Sequence, residues 1–269
     1  MKIITSKDNP VLKAARKLHT RKGREGAGAF LIEGKKLISE AVTAGFAVES
    51  VFINAGALAR GEAATGEYAN EIELEETLFH DLAGTKTPQP YMAVVRRPEP
   101  EGADGETQRA LVLDRISDPG NVGTMIRSAF AAGMDSVWCV KGTADVYSDK
   151  AVRASAGAIF RMPVKEGLSA KDCIGQAADM GARLFVLSAG GADLYKEELT
   201  GNIALVIGSE GAGPQEAFLE AADAVIGIPM AKGSESLNAA TAAAVAMYEA
   251  LRQSNEDNDL LLESILESL

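Results

Sequence analysis

The chain has 269 residues, 46% of them hydrophobic and 24% charged, and a net charge of −11. That size and balance suit one large or two ordinary globular domains with full cores, and they exclude a disordered, fibrous or disulfide-stapled protein. Residues 1–36 carry ten Lys and Arg against three acids, a balance of +7 that leaves −18 for the rest, and such asymmetry fits a local polyanion-binding patch on an acidic body.

The opening MKIITSKDNP has no apolar signal core, and the most apolar later run, 239–247, is too short and Ala-rich to span a bilayer. A cytoplasmic protein without membrane association is expected. Residues 30–54 then read as strand (FLIEG), helix (KKLISEAVTAG) and strand (VESVFIN), and short apolar runs follow at Glu71–Leu74 and Tyr91–Val95. PEPEGADGET holds only turn, acidic and polar residues and reads as a linker over 98–109.

From Ala110 the pattern alternates strands (Leu111–Asp114, Ser136–Val140, Met162–Val164, Leu184–Leu187, Ala204–Ile207, Val225–Ile228) with helices near 122–132, 149–157, 170–180, 214–222 and 238–252. Continuously apolar strands such as ALVIG indicate a parallel sheet covered on both faces, with ligands at its carboxyl end. The fold class is α/β, with domains over 1–97 and 110–253. The acidic tail 254–269 has Leu262, Ile265, Leu266 and Leu269 at helical spacing, so it reads as an amphipathic helix or a frayed end. Cys139, Cys173, His19 and His80 lack metal-ligand spacing, and no metal is expected.

Three glycine-punctuated loops follow predicted strands. In 113–133, Asp118-Pro119-Gly120 forms a turn, Asn121 is a good N-cap, and Arg127 lies in the helix body. A helix N-terminus backed by an Arg suits an anion or a developing negative charge. In 206–214, Gly208, Gly211 and Gly213 permit close backbone approach to a ligand, with Glu210 among them. Their order, G-x-x-G-x-G, departs from the dinucleotide fingerprint and leaves a nicotinamide enzyme as a weaker alternative. In 228–251, Ser236-Leu237-Asn238 leads into an Ala-rich helix that Ser236 or Asn238 could cap.

Taken in order, Asn121-x-Gly123-x-x-x-Arg127, then Gly208-Ser-Glu210-Gly211 with Gly213-Pro214, then Ile228-Pro-Met230 with Ser236-Leu237-Asn238, resemble the three motifs of the SpoU (TrmH) class of RNA 2′-O-ribose methyltransferases. Residues 152–157 (VRASAG) agree, and the stretch from FLIEG to Gly45 resembles that family's RNA-substrate-binding module. One position departs: Lys232 stands where the third motif has a glycine, and Gly233 follows.

The resemblance implies a small N-terminal α/β RNA-binding domain and a C-terminal parallel-sheet domain tied in a trefoil knot. It also implies a homodimer, and S-adenosylmethionine held by Ser188, Gly190, Gly208, Gly211, Ile228, Met230, Ser236 and Leu237. Arg127 would handle the ribose 2′-OH, oriented with the substrate by Asn121, Glu210, Ser236 and Asn238. The module favours ribosomal RNA as substrate; a tRNA methyltransferase and a non-catalytic RNA-binding protein are the alternatives. On this reading a fragment from about Gln108 onward keeps donor binding and loses most RNA affinity.

Overall fold

The computed structural model describes residues 3–83, 85–98, 108–233 and 236–267, with side chains to residue 255. Most of the expected linker 98–109 lies outside the described residues. The chain divides into two compact units, Met1–Pro100 with Asp145–Phe160, and Glu101–Ala144 with Arg161–Leu269.

The first unit begins with β1 (Ile3–Ile4), α1 (Pro10–Lys17), α2 (Arg21–Ala27), β2 (Ala29–Glu33), α3 (Lys35–Thr43) and β3 (Val48–Asn54), followed by α4 (Ala55–Ala59), β4 (Glu71–Leu74), α5 (Glu76–Ala83) and β5 (Tyr91–Arg96). The strands form a mixed sheet in the order β1-β4-β3-β5-β2. Basic composition conceals α1 and α2 from a hydropathy reading. Yet α1 has a clear start, because Asn9 accepts a hydrogen bond from the Val11 N–H at 2.9 Å and Pro10 opens the first turn. Its Leu12 and Ala15, with Leu18 just beyond, bury against Phe79 and Leu82 in one core cluster.

The second unit begins with β6 (Arg109–Asp114), α6 (Pro119–Ala131) and β7 (Ser136–Val140). The chain then passes through α7 (Asp149–Ser155), which belongs to the first unit. It returns with β8 (Val164–Leu168), α8 (Ala170–Asp179), β9 (Arg183–Asp193), β10 (Ile203–Gly208), α9 (Glu216–Ala221), β11 (Ala224–Gly227) and α10 (Ala239–Glu267). All six strands are parallel, in the order β11-β9-β10-β6-β7-β8. The chain runs outward from β6 through β7 to β8, and β10 lies on the other side of β6. That reversal puts a crevice at the carboxyl ends of β6 and β10, where open α/β sheets take ligands.

Two strands differ from the sequence expectation. β8 starts at Val164 rather than Met162, because an edge strand with one neighbour needs no apolar run and can carry Lys165 and Glu166. β9 continues past Leu187 to Asp193 through a register shift against β11. A side chain at Gly191 would come within 2.5 Å of the Ile226 carbonyl carbon, so glycine lets β11 close on this bulge. The expected tail is helical backbone, a continuation of α10 to Glu267. Among the described residues no helix is long and apolar enough to cross a membrane.

The segment 145–160 packs in the first unit through aromatic and ionic contacts. The Phe30 ring lies 4.8 Å from Tyr147 and 6.3 Å from Phe160, and Phe46 meets Phe160 edge-on at 5.2 Å. The Arg24 guanidinium, 4% exposed, donates to Asp145 at 2.7 and 2.8 Å and to the Leu18 carbonyl at 2.6 Å. Asp145 in turn accepts the Tyr147 N–H.

His19 makes a second link to this segment. Its Nδ1 is 2.8 Å from an Asp149 carboxylate oxygen and its Nε2 is 2.7 Å from the Leu82 carbonyl. The carbonyl can only accept and an ionised carboxylate also only accepts, so the geometry asks for a proton on each nitrogen. The Asp149 hydrogen bond accordingly raises the His19 pKa against the opposing effect of burial. A raised folded-state pKa contributes stability that is complete below the unfolded value of about 6.5 and is lost as pH rises through the folded value. Thermal melts from about pH 6 to pH 9 should therefore show a falling Tm in the parent that is flattened in His19→Gln. Parallel curves for the two proteins would remove His19 from this account.

Candidate active site

The loop after β6 decides the site. Asp118, not Asn121, is the N-cap of α6: its Oδ1 accepts the Asn121 N–H at 2.9 Å, and Pro119 occupies the first helical position. Proline suits that position because its missing N–H would be unpaired there anyway. The Asn121 side chain, released from capping, reaches out of the helix. Asn238 fixes how it is used, since Asn238 Oδ1 accepts the N–H groups of Ala240 and Thr241 at 2.9 and 3.3 Å and so caps α10. That leaves the Asn238 amide N–H to donate to Asn121 Oδ1 at 3.1 Å. It leaves the Asn121 amide N–H to donate to Glu210 Oε1 at 2.5 Å. One donor-to-acceptor chain thus joins three loops that lie 89 and 117 residues apart in sequence.

Beside this chain lies a cavity of about 420 Å³, within the size range of small-molecule sites. Ser188 contributes to it from β9, Gly208 and Glu210 from the end of β10, and Ile228 and Met230 from the stretch after β11. Ser236, Leu237 and Asn238 complete it ahead of α10. Gly190 and Gly211, which the family resemblance assigned to the methyl donor, do not line it. Gly190 sits in the β9 bulge at φ +81°, and Gly211 is at the exposed tip of its loop. Ala189, Ser209, Gly213 and Pro214 also line the cavity; Gly213 and Pro214 belong to the second motif, whereas the only sequence signal of Ala189 and Ser209 was proximity to the singled-out residues. The mixture of backbone groups, hydroxyls and apolar side chains fits a nucleoside bearing a compact charged group.

Arg127 stands apart from this network. It lies on α6 six residues beyond Asn121, is exposed, and no hydrogen bond or ion pair engages it among the described residues. A guanidinium with no partner among the described residues has its donors open to a ligand. Cys139 and Cys173 are both free and buried, and burial pushes both thiols up, Cys173 to about 12, which leaves neither as a thiolate nucleophile at neutral pH. Among the described residues no group of three His, Cys, Asp or Glu is placed to hold a metal ion.

Residues 108–248 match the SpoU rRNA Methylase family, and residues 9–93 match an MRM3-like substrate binding domain. The chain belongs to the SpoU rRNA methylase family. It is 34% identical to the 23S rRNA (guanosine(2553)-2′-O)-methyltransferase RlmP of Bacillus subtilis, over 92% of this chain and 98% of that protein. A 23S rRNA (uridine(2479)-2′-O)-methyltransferase of Streptomyces viridochromogenes is 31% identical over 88% of this chain and 87% of its own length. Among solved structures, the AdoMet-bound rRNA methyltransferase of Sinorhizobium meliloti superposes with a TM-score of 0.81 at 28% identity, covering 93% and 97% of the two chains. The SpoU methyltransferase AviRb of Streptomyces viridochromogenes, in complex with AdoMet, does so at 0.78 and 30%, covering 91% and 98%. The α/β architecture with its parallel sheet is therefore that of the SpoU methyltransferases, whose methyl donor is S-adenosylmethionine.

Proposed function

We propose that this SpoU-family protein transfers a methyl group from S-adenosylmethionine to a ribose 2′-OH of ribosomal RNA. The observation that carries the reading is the hydrogen-bonded chain Asn238–Asn121–Glu210 at the edge of the 420 Å³ cavity, which ties all three family motifs to one place. The cavity is the donor site, with Ser188, Gly208, Ile228, Met230, Ser236 and Leu237 around it.

When bound, the donor supplies an electrophilic methyl on a sulfonium. The protein's own part would then be mostly alignment, holding the ribose 2′-OH against the reactive methyl group. The 2′-OH must lose its proton as the new bond forms. A guanidinium carries donors and no acceptor, so Arg127 is a poor base; it donates hydrogen bonds to the 2′-oxygen and to the adjacent phosphate, which accepts the proton. Asn121, Glu210, Ser236 and Asn238 orient the substrate, which Arg127 meets from outside their network.

Residues 1–97 form the RNA-binding domain and 110–253 the methyltransferase domain, joined by 98–109, with 145–160 of the latter stretch packed in the first unit. Lys17 and Lys22 are exposed. Lys13, Arg16, Arg21 and Lys35 make surface ion pairs, which are worth little and yield readily to phosphates. Arg24, buried with Asp145, is not part of this surface. The SpoU resemblance also supports a trefoil knot around the donor site, a cytoplasmic location and a homodimer; exposed Phe130 on α6 and Tyr248 on α10 are apolar surface that a second subunit would cover.

The test is transfer of a labelled methyl into ribosomal RNA from a strain lacking this protein, with the modified ribose located by mass spectrometry. Incorporation at a single 2′-oxygen is expected. Asn121→Ala should lower turnover by about 10- to 100-fold while leaving donor affinity near that of the parent, as a positioning group would. Label entering only transfer RNA would replace the substrate, and a protein that binds RNA but neither donor nor label would be non-catalytic.

A further inference from the structure

Asp114 ends β6 with its side chain fully buried, and in register with Gly208 at the end of β10. A buried carboxylate is costly unless its oxygens are satisfied, so its partners show what it holds in place. One oxygen accepts the backbone N–H of Gln215 at 2.7 Å. The other accepts Gln215 Nε2 at 2.6 Å and Arg115 Nε at 3.0 Å. Arg115, at φ +59°, turns back and also donates to the Gly213 carbonyl at 3.3 Å. Three of these four bonds end on the loop that leaves β10, at its returning end.

That loop doubles back on itself. Gly213 N–H donates to the Ser209 carbonyl at 2.9 Å, and a side chain at Gly208 would come within 2.2 Å of Pro214 N. Between the two ends sit Ser209 and Glu210, which line the cavity, and Glu210 accepts from Asn121. The outgoing end is held by the β10 ladder to β6, whereas the returning end is held by Asp114.

We propose that Asp114 is a positioning residue for the methyl donor: its buried charge clamps Gln215 and so presets the 209–214 wall of the donor cavity. It touches no reacting atom. The role rests on the reading of the cavity as the donor site. Asp114→Asn keeps shape and volume but presents an N–H₂ to groups that are themselves donors, so at least one contact to Gln215 or Arg115 becomes a mismatch. A preorganised wall would then have to be ordered at the expense of binding.

The experiment is calorimetric titration of S-adenosylmethionine into the full chain, with hydrogen exchange and steady-state kinetics alongside. Asp114→Asn should raise the donor Kd and KM about tenfold or more, with a much smaller change in kcat at saturating donor. Amide exchange should accelerate within residues 209–215 but not across the sheet, and added donor should restore protection. Gln215→Pro provides a second variant if Asp114→Asn folds poorly. Gln215 has φ −64°, which proline accepts, and the change removes both Gln215 donors; it should weaken the donor to a similar extent. Leu237→Arg, which fills the cavity, separates the two claims. If Leu237→Arg abolishes donor binding while both Asp114→Asn and Gln215→Pro bind as the parent does, the role of Asp114 is overturned and the cavity reading stands. If Leu237→Arg binds donor normally, the cavity reading falls and the clamp falls with it.

Discussion

Arg127→Ala and Arg127→Lys should both lose at least about 100-fold in methyl-transfer rate, the lower end of what positioned acid–base and electrostatic groups contribute. Both should fold and bind S-adenosylmethionine as the parent does. The expectation of normal folding follows from exposure: Arg127 has no hydrogen bond or ion pair among the described residues, and a surface substitution of that kind costs within about 0.5 kcal/mol. Normal donor binding follows from location, because Arg127 does not line the cavity. The near-equivalence of Lys and Ala follows from geometry. A guanidinium can hold a phosphate and a hydroxyl with one rigid fork, whereas an ammonium on a flexible stem is a point charge. Label transfer at saturating donor separates the outcomes, and near-parental turnover in either variant would take Arg127 out of the mechanism and turn attention to Ser236.

Arg24→Ala should destabilise the first unit by about 3–5 kcal/mol, the range for removing one partner of a buried ion pair. Its guanidinium is 4% exposed and satisfies both Asp145 and the Leu18 carbonyl, so truncation strands a buried carboxylate and a buried carbonyl together. Lys17→Ala, a few residues away on an exposed position, should cost no more than about 0.5 kcal/mol. Urea unfolding of the two variants makes the comparison, and a loss under about 1 kcal/mol for Arg24→Ala would show that the pair is solvated or replaceable. The same packing changes what truncation should do. A fragment from Gln108 leaves Tyr147 and Phe160 without Phe30 and Phe46, and Asp145 without Arg24. Such a fragment should aggregate or melt early rather than behave as a donor-binding domain, contrary to the expectation from sequence.

Much of the second unit was readable because its signals are local. A continuously apolar strand such as Ile203–Gly208 is a short run of adjacent residues, and a loop at its end announces itself through Gly208, Gly211 and Gly213. The three motifs needed only their order to point to one chemistry, and Asp118, Asn121, Glu210 and Asn238 were all on view. Helices α1 and α2 were missed for the opposite reason: their burial rests on few residues among many charges, so hydropathy alone hid them. Lys165 and Glu166 hid β8 in the same way, since an edge strand needs apolar residues on one side only.

What the sequence by itself determined, then, was the alternation of strands and helices, the parallel sheet and the three motifs whose residues meet at one cavity. Tertiary structure decided which atoms those residues use. Asn121 reads as a helix cap until Asp118 takes that place and Asn238, 117 residues away, turns its amide toward Glu210. Arg24 reads as one more cation in a basic stretch until Asp145, 121 residues on, buries it. Asp114 reads as the polar end of a strand until Gln215 closes over it from 101 residues away. Periodicity, capping preference and turn chemistry act over a few residues along the chain, whereas the partners of a buried polar group are chosen by whichever distant segment the fold brings within 3 Å or so, and desolvation makes that choice obligatory.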